Sequence, residues 1–160
     1  MTTATAAQAA IRTRLEANRP TYGSTQAQLY WQNEDADTDG NFGLPDIPAA
    51  FIYIELAAEK AFLAGFGGGT GANLWRHPCR IEAFCFVPRG AGFAAASDLA
   101  EQVATLFRGF RSADLHCFDA TIYPLGGDRS GIKPQGLSAN EVDNYYCAVC
   151  EIDMFFDLVG

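Results

Sequence analysis

The stretch NLWRHPCRIEAFCFVP, residues 73–88, decides the fold. Ile81, Ala83, Cys85 and Val87 fall on one side of it, and Arg80, Glu82, Phe84 and Phe86 on the other. Successive side chains of a strand point to opposite faces, so this period of two reads as a β-strand. Upstream, AAFIYIELAAEKAFL (49–63) sets Ile52, Ile54 and Leu56 against Phe51, Tyr53 and Glu55, a half-buried strand by the same rule. A glycine-rich stretch lies between them, and the simplest connection is a long antiparallel β-hairpin over residues 50–88.

Downstream the period changes. GFAAASDLAEQVATLFRGF (92–110) places Leu99, Val103 and Leu106 or Phe107 on one stripe and ends at Gly109, which predicts a helix. LHCFDATIYPL (115–125) and NYYCAVCEIDMFFDLV (144–159) return to strand patterning, separated by the polar segment 126–143. In the second of these, Tyr146, Ala148, Cys150, Ile152, Met154 and Phe156 share one face, and Glu151 and Asp153 mark the other as solvated or interfacial. An alanine-rich N-terminal helix over residues 4–17, closed by Asn18 and Pro20, and a short strand QLYWQ (28–32) complete the order. The predicted architecture is α+β: a mostly antiparallel sheet of four to five strands, two helices packed on one face, and a long β-hairpin, all in one domain spanning 1–160.

Composition excludes several classes of function. A chain of 160 residues with 49% hydrophobic residues buries a sizeable core. Its net charge of −8 and eleven dispersed basic residues disfavour general nucleic-acid binding and anionic membrane surfaces. The sequence holds no run of the roughly 20 apolar residues that a membrane helix needs, nor a signal-peptide h-region, which points to a cytoplasm. Five cysteines, an odd number, read as free thiols. Cys147 and Cys150 form a C-x-x-C, but on a strand positions three apart face opposite ways, so zinc and redox chemistry are disfavoured.

Three motifs invite chemistry. GGGTGA (67–72) satisfies G-x-G-x-x-A as a string, yet strand and Pro78 follow where a dinucleotide fingerprint needs a helix, and the Walker lysine is missing. A hairpin tip whose backbone angles glycine reaches cheaply is the better reading. DADTDG (35–40) resembles the start of a calcium loop, with Asp35, Asp37 and Asp39 as a weak ligand set, but position twelve is Asp46 rather than glutamate, and flanking helices are absent from the pattern. An acidic solvated turn is the better reading, and calorimetric titration with calcium discriminates. The two histidines carry no recognisable catalytic pattern: His77 adjoins Pro78, and His116 shares a strand face with Phe118 and Ile122. No cofactor and no enzymatic activity are expected.

As a series, these features resemble the phage tail terminator-like proteins. The resemblance spans most of the chain and is carried by AAIRTRLEA, LYWQNE ahead of a proline-containing loop, AAFIYIELAA, and above all WRHPCRIEAFCFVPRGAGFAAASDLAEQVATLFRG. That last block joins a strand, the Pro-x-Gly-x-Gly of PRGAG (88–92) and an alanine-rich helix. The long glycine stretch and the DADTDG insertion depart from the family pattern.

The resemblance implies a virion structural protein, a homo-oligomeric ring, commonly a hexamer, at the head-proximal end of the tail. It would be made in the host cytoplasm, cap the tail tube protein, end tube polymerisation and meet neck or connector proteins. DNA would pass through its channel without specific binding. A head-completion (stopper) neck protein and a calcium-dependent binding module are the alternatives. Within the family reading the hairpin tip contacts a neighbouring subunit or the tube, through Phe66, Gly67, Gly68, Gly69, Trp75 and Arg76.

Overall fold

The computed structural model describes residues 4–32, 34, 49–67, 71–113, 115–125 and 144–160. Its elements are α1 (Ala4–Ala17), β1 (Thr21–Tyr22), β2 (Thr25–Gln26), β3 (Gln28–Trp31), β4 (Phe51–Ala58), β5 (Phe62–Gly65), β6 (Leu74–Pro88), α2 (Phe93–Phe107), β7 (His116–Leu125) and β8 (Tyr145–Val159). The fold is α+β, with a mixed six-stranded sheet ordered β3-β4-β6-β8-β7 and β5 attached to β6. β1 and β2 form a separate two-stranded antiparallel sheet.

β6 is the spine of the sheet. Its whole length pairs antiparallel with β8, from Leu74↔Val159 to Pro88↔Tyr145. On its other edge it pairs first with β4, Phe51↔Phe86 to Ala58↔Cys79, and then with β5, Phe62↔Arg76. The interruption between β4 and β5 lies opposite Pro78, whose carbonyl accepts from the Glu59 amide at 3.0 Å but which has no N–H to return. The hairpin expected over residues 50–88 is therefore broken by the proline inside it.

Two features depart from the sequence expectation. The sheet is mostly antiparallel and close to the expected four to five strands, but β3 pairs parallel to β4, Gln28↔Phe51 through Trp31↔Ile54. A parallel pair needs a crossover of a dozen or more residues, and residues 32–50 supply one. The second departure is burial. β4 is not half-buried: Phe51, Tyr53 and Glu55 are as enclosed as Ile52 and Ile54. It carries apolar residues on both faces because the sheet has a cluster on each, as buried central strands do.

The larger cluster lies between the sheet and the helices. The face of Ile52, Ile54, Ile81, Ala83, Cys85, Val87, Ala148, Cys150 and Ile152 meets Leu99, Val103 and Phe107 of α2 and Ile11 and Leu15 of α1. Each such large side chain contributes roughly 1.5–3 kcal/mol by leaving water. On the opposite face Tyr30, Phe51, Tyr53, Phe84, Phe86 and Val149 form the second cluster. Phe51 stacks on Phe86 at 4.6 Å and meets Tyr145 edge-on at 5.0 Å.

Both helices have identifiable anchors. Ala7, Ile11 and Leu15 recur every four residues and form the buried stripe of α1. Arg14 donates from Nε to the Leu106 carbonyl at 2.5 Å and lies 3.7 Å over the Phe110 ring, tying α1 to the end of α2. Gly90 (φ 93°) and Gly92 (φ 82°) of the PRGAG turn both occupy the left-handed region, so the spacing of its glycines is a steric requirement for passing from β6 into α2.

Candidate interaction surface at the hairpin end

The β5–β6 tip is built around close backbone approach. A Cβ on Gly67 would lie 1.6 Å from the Ala72 carbonyl oxygen, so no larger residue fits without moving the turn. Asn73 fastens the tip twice: its Oδ1 accepts from the Gly67 amide at 3.2 Å, and its carbonyl accepts from the Gly160 amide at 3.0 Å. Trp75 donates from Nε1 to the Gly160 carbonyl at 3.1 Å. Phe66 projects from this turn with 89% of its surface exposed. Gly68 and Gly69 lie outside the described residues, as do Asp35, Asp37 and Asp39 of the calcium-loop motif.

Behind the tip, the sheet face turned away from the helices carries a continuous aromatic and charged surface. Phe62, Arg76 and Asp157 occupy one cross-strand row. Arg76 grips Asp157 with both arms of its fork, Nε to Oδ1 at 2.9 Å and Nη2 to Oδ2 at 2.8 Å, and its guanidinium lies 3.8 Å over the Phe155 ring. That hydrogen-bonded pairing, more than any other influence, holds the Asp157 carboxyl below its ordinary value. Phe155 in turn stacks on His116 at 4.8 Å and lies 5.3 Å from Phe118. Phe62 and Phe118 are exposed.

Of the six tip residues named from sequence, the structure describes Phe66, Gly67, Trp75 and Arg76. It brings Arg76 together with Asp157 and Phe155, and Trp75 with Gly160, so both have intramolecular roles. Phe62, Phe118, Phe155 and His116 were not among them. The alternation in 144–159 sets Phe155 opposite the Ile152 face, but pairing with Arg76, 79 positions earlier in the chain, leaves no local signal.

His116 does not share a face with Ile122, contrary to the simple alternation of 115–125. The register shifts between Cys117 and Ala120, and the bulge returns Ile122 to the helix-side core while His116 faces Phe155. His77 lies on the helix side, stacked on Phe156 at 5.0 Å.

A second feature of the outer face escapes any local reading. Glu55, Glu82 and Glu151 stand in one row across β4, β6 and β8. Glu55 is only 4% exposed, so the face that carries Glu151 is not simply solvated. Arg80 reaches Asp153 at 3.2 Å and Glu151 at 3.8 Å. Burial first, then the Glu151 and Glu55 charges, push the Glu82 carboxyl above its ordinary value.

The five cysteines are free. Cys147 packs against the outer cluster and Cys150 lies in the inner one, so the two sulfurs of the C-x-x-C diverge across the sheet. Burial pushes the Cys150 and Cys117 thiols up to about 12. Among the described residues no group of three or more His, Cys, Asp or Glu side chains is placed to hold a metal ion. No described helix is long and apolar enough to cross a membrane. Compared with models of known protein families and with curated protein sequences, the chain matches none.

Proposed function

We propose that this protein is a structural subunit of a phage-type tail, a tail terminator-like protein that forms a ring, caps the tail tube and joins it to the neck. The observation that carries this reading is the gathering of exposed apolar side chains on one half of the sheet. Among the described residues, Phe62, Phe66, Trp75, Phe118 and Val159 are exposed there, and only Phe93 and Tyr123 are exposed large apolar residues elsewhere. Exposed aromatic groups clustered beside an arginine are the composition of protein–protein contact surfaces.

Two further points support it. The block on which the family resemblance rests forms one continuous unit, β6, a turn with two positive-φ glycines, and α2. Among the described residues β7 ends the sheet, its first residues paired with the 109–111 segment, and closed cyclic assembly is one way proteins hide the edges that remain. In this reading the protein is not an enzyme and needs no cofactor. The −8 charge lets DNA slide through the ring channel rather than stick. Its place is the head-proximal end of the tail, reached after assembly in the host cytoplasm. Negative-stain imaging of the purified protein with and without tail tubes tests the proposal: closed rings and capped tubes support it, and a protein that never joins tubes contradicts it.

A further inference from the structure

We infer that two copies of this chain meet head to tail, the hairpin tip carrying Phe66 of one copy lying against the Phe155–His116–Phe118 face of the next. The inference rests on the ring-forming reading and names the contact that would build the ring.

Charge is the first argument. In a chain of net charge −8, residues 61–75 (AFLAGFGGGTGANLW) contain no charged side chain at all. On the receiving face Arg76 and Asp157 are locked to each other at 2.8 Å, and Arg111, bridged to His116, and Asp119, next to Phe118, add one charge of each sign. The tip is therefore uncharged and the receiving face carries its cations and anions in balance, in a chain whose net charge is −8. The outer face nearer the sheet centre carries Glu55, Glu82, Glu151 and Asp153 against Arg80. The hollow beside α2, bounded by Asn18, is lined by Asp98 and Glu101. Copies that repel one another over most of their surface can approach only where that repulsion is absent, and these two surfaces meet the condition.

Geometry supplies the second argument. Phe66 is 89% exposed on a turn fastened by Asn73, so it is presented outward from a fixed base. The receiving face is equally fixed, because Arg76, Asp157, Phe155 and His116 hold one another. Preorganised aromatic anchors lose little freedom on association. The tip and the face are different patches of one molecule; met one way from copy to copy, tip to face, they form a heterologous contact, and such a contact of suitable rotation closes into a ring.

Sedimentation velocity on the full chain tests this with Phe66→Ser, Phe118→Ser and an equimolar mixture of the two, at low and moderate NaCl. Both residues are exposed, so the melting temperatures should stay near that of the unsubstituted protein. The unsubstituted protein should associate, and more tightly as salt screens the net charge. Each variant should weaken association by on the order of tenfold or more. The mixture should recover dimers and nothing larger, because the intact tip of the Phe118 variant still finds the intact face of the Phe66 variant. Association unchanged in both variants, or no recovery on mixing, overturns the inference. If rings and capped tubes persist in both variants, the ring reading stands and this contact falls; if the unsubstituted protein neither associates nor caps tubes, both fall.

Discussion

The Arg76–Asp157 pair is the joint that holds the outer face together, and its strength is open to measurement. The two side chains span β6 and β8 with hydrogen bonds of 2.9 and 2.8 Å, at 34% and 25% side-chain exposure. Ion pairs in contact with solvent contribute about 0.2–1 kcal/mol, and bidentate geometry places this one near the top of that range. Replacing Arg76 with Ala also removes the guanidinium from the Phe155 ring, roughly 0.5–1 kcal/mol more. A double-mutant cycle of Arg76→Ala and Asp157→Asn by urea denaturation separates the two: the coupling should be about 1 kcal/mol at pH 7. The pH dependence has a definite sign. Asp157 is held below its ordinary 3.8, so its contribution is present above that value and disappears as pH falls through the lower folded one. A coupling indistinguishable from zero at pH 7, or one that persists unchanged into strong acid, refutes the reasoning.

Glu82 titrates in the opposite sense. Its carboxyl is raised, so its contribution is present below the ordinary 4.5 and lost as pH rises through the folded value. Glu82→Gln should therefore raise the melting temperature by about 1–2 °C at pH 7, with the difference closing near pH 4; destabilisation at pH 7 would show that Arg80 dominates the row. Deleting residues 65–71 should leave a folded protein that assembles or caps poorly, since Phe66 and Gly67 lie beyond the packed core; circular dichroism and sedimentation check it, and undiminished assembly removes the tip from the contact. Cys85, Cys117, Cys147 and Cys150 should resist Ellman's reagent in the native protein at pH 8 and react in urea, because burial raises all four thiols. Rapid native labelling of Cys147 together with Cys150 would mean that the C-x-x-C is accessible.

What the sequence revealed and what it hid divide along a physical line. The Ile81–Val87 alternation and the Leu99–Val103–Phe107 stripe are local periodicities, and both map onto the inner core as expected. The C-x-x-C diverges for the same local reason. The parallel partner of β4 was hidden because a four-residue strand such as Gln28–Trp31 carries no information about direction. The bulge after Cys117 was hidden because a register shift depends on the partner strand, and it moved Ile122 across the sheet. Exposure of the tip could be read from its glycines and Phe66. The face behind it could not, because Arg76, Asp157, Phe155 and His116 converge from three strands through pairings that only the folded sheet defines.

We propose that this chain works as a ring-forming tail cap. Electron microscopy of purified protein incubated with polymerising tail tubes tests it most directly. The account predicts closed rings and a density from this chain seated on one end of each tube, with tube growth arrested there. Tubes that grow unchanged beside a protein that remains monomeric would contradict it.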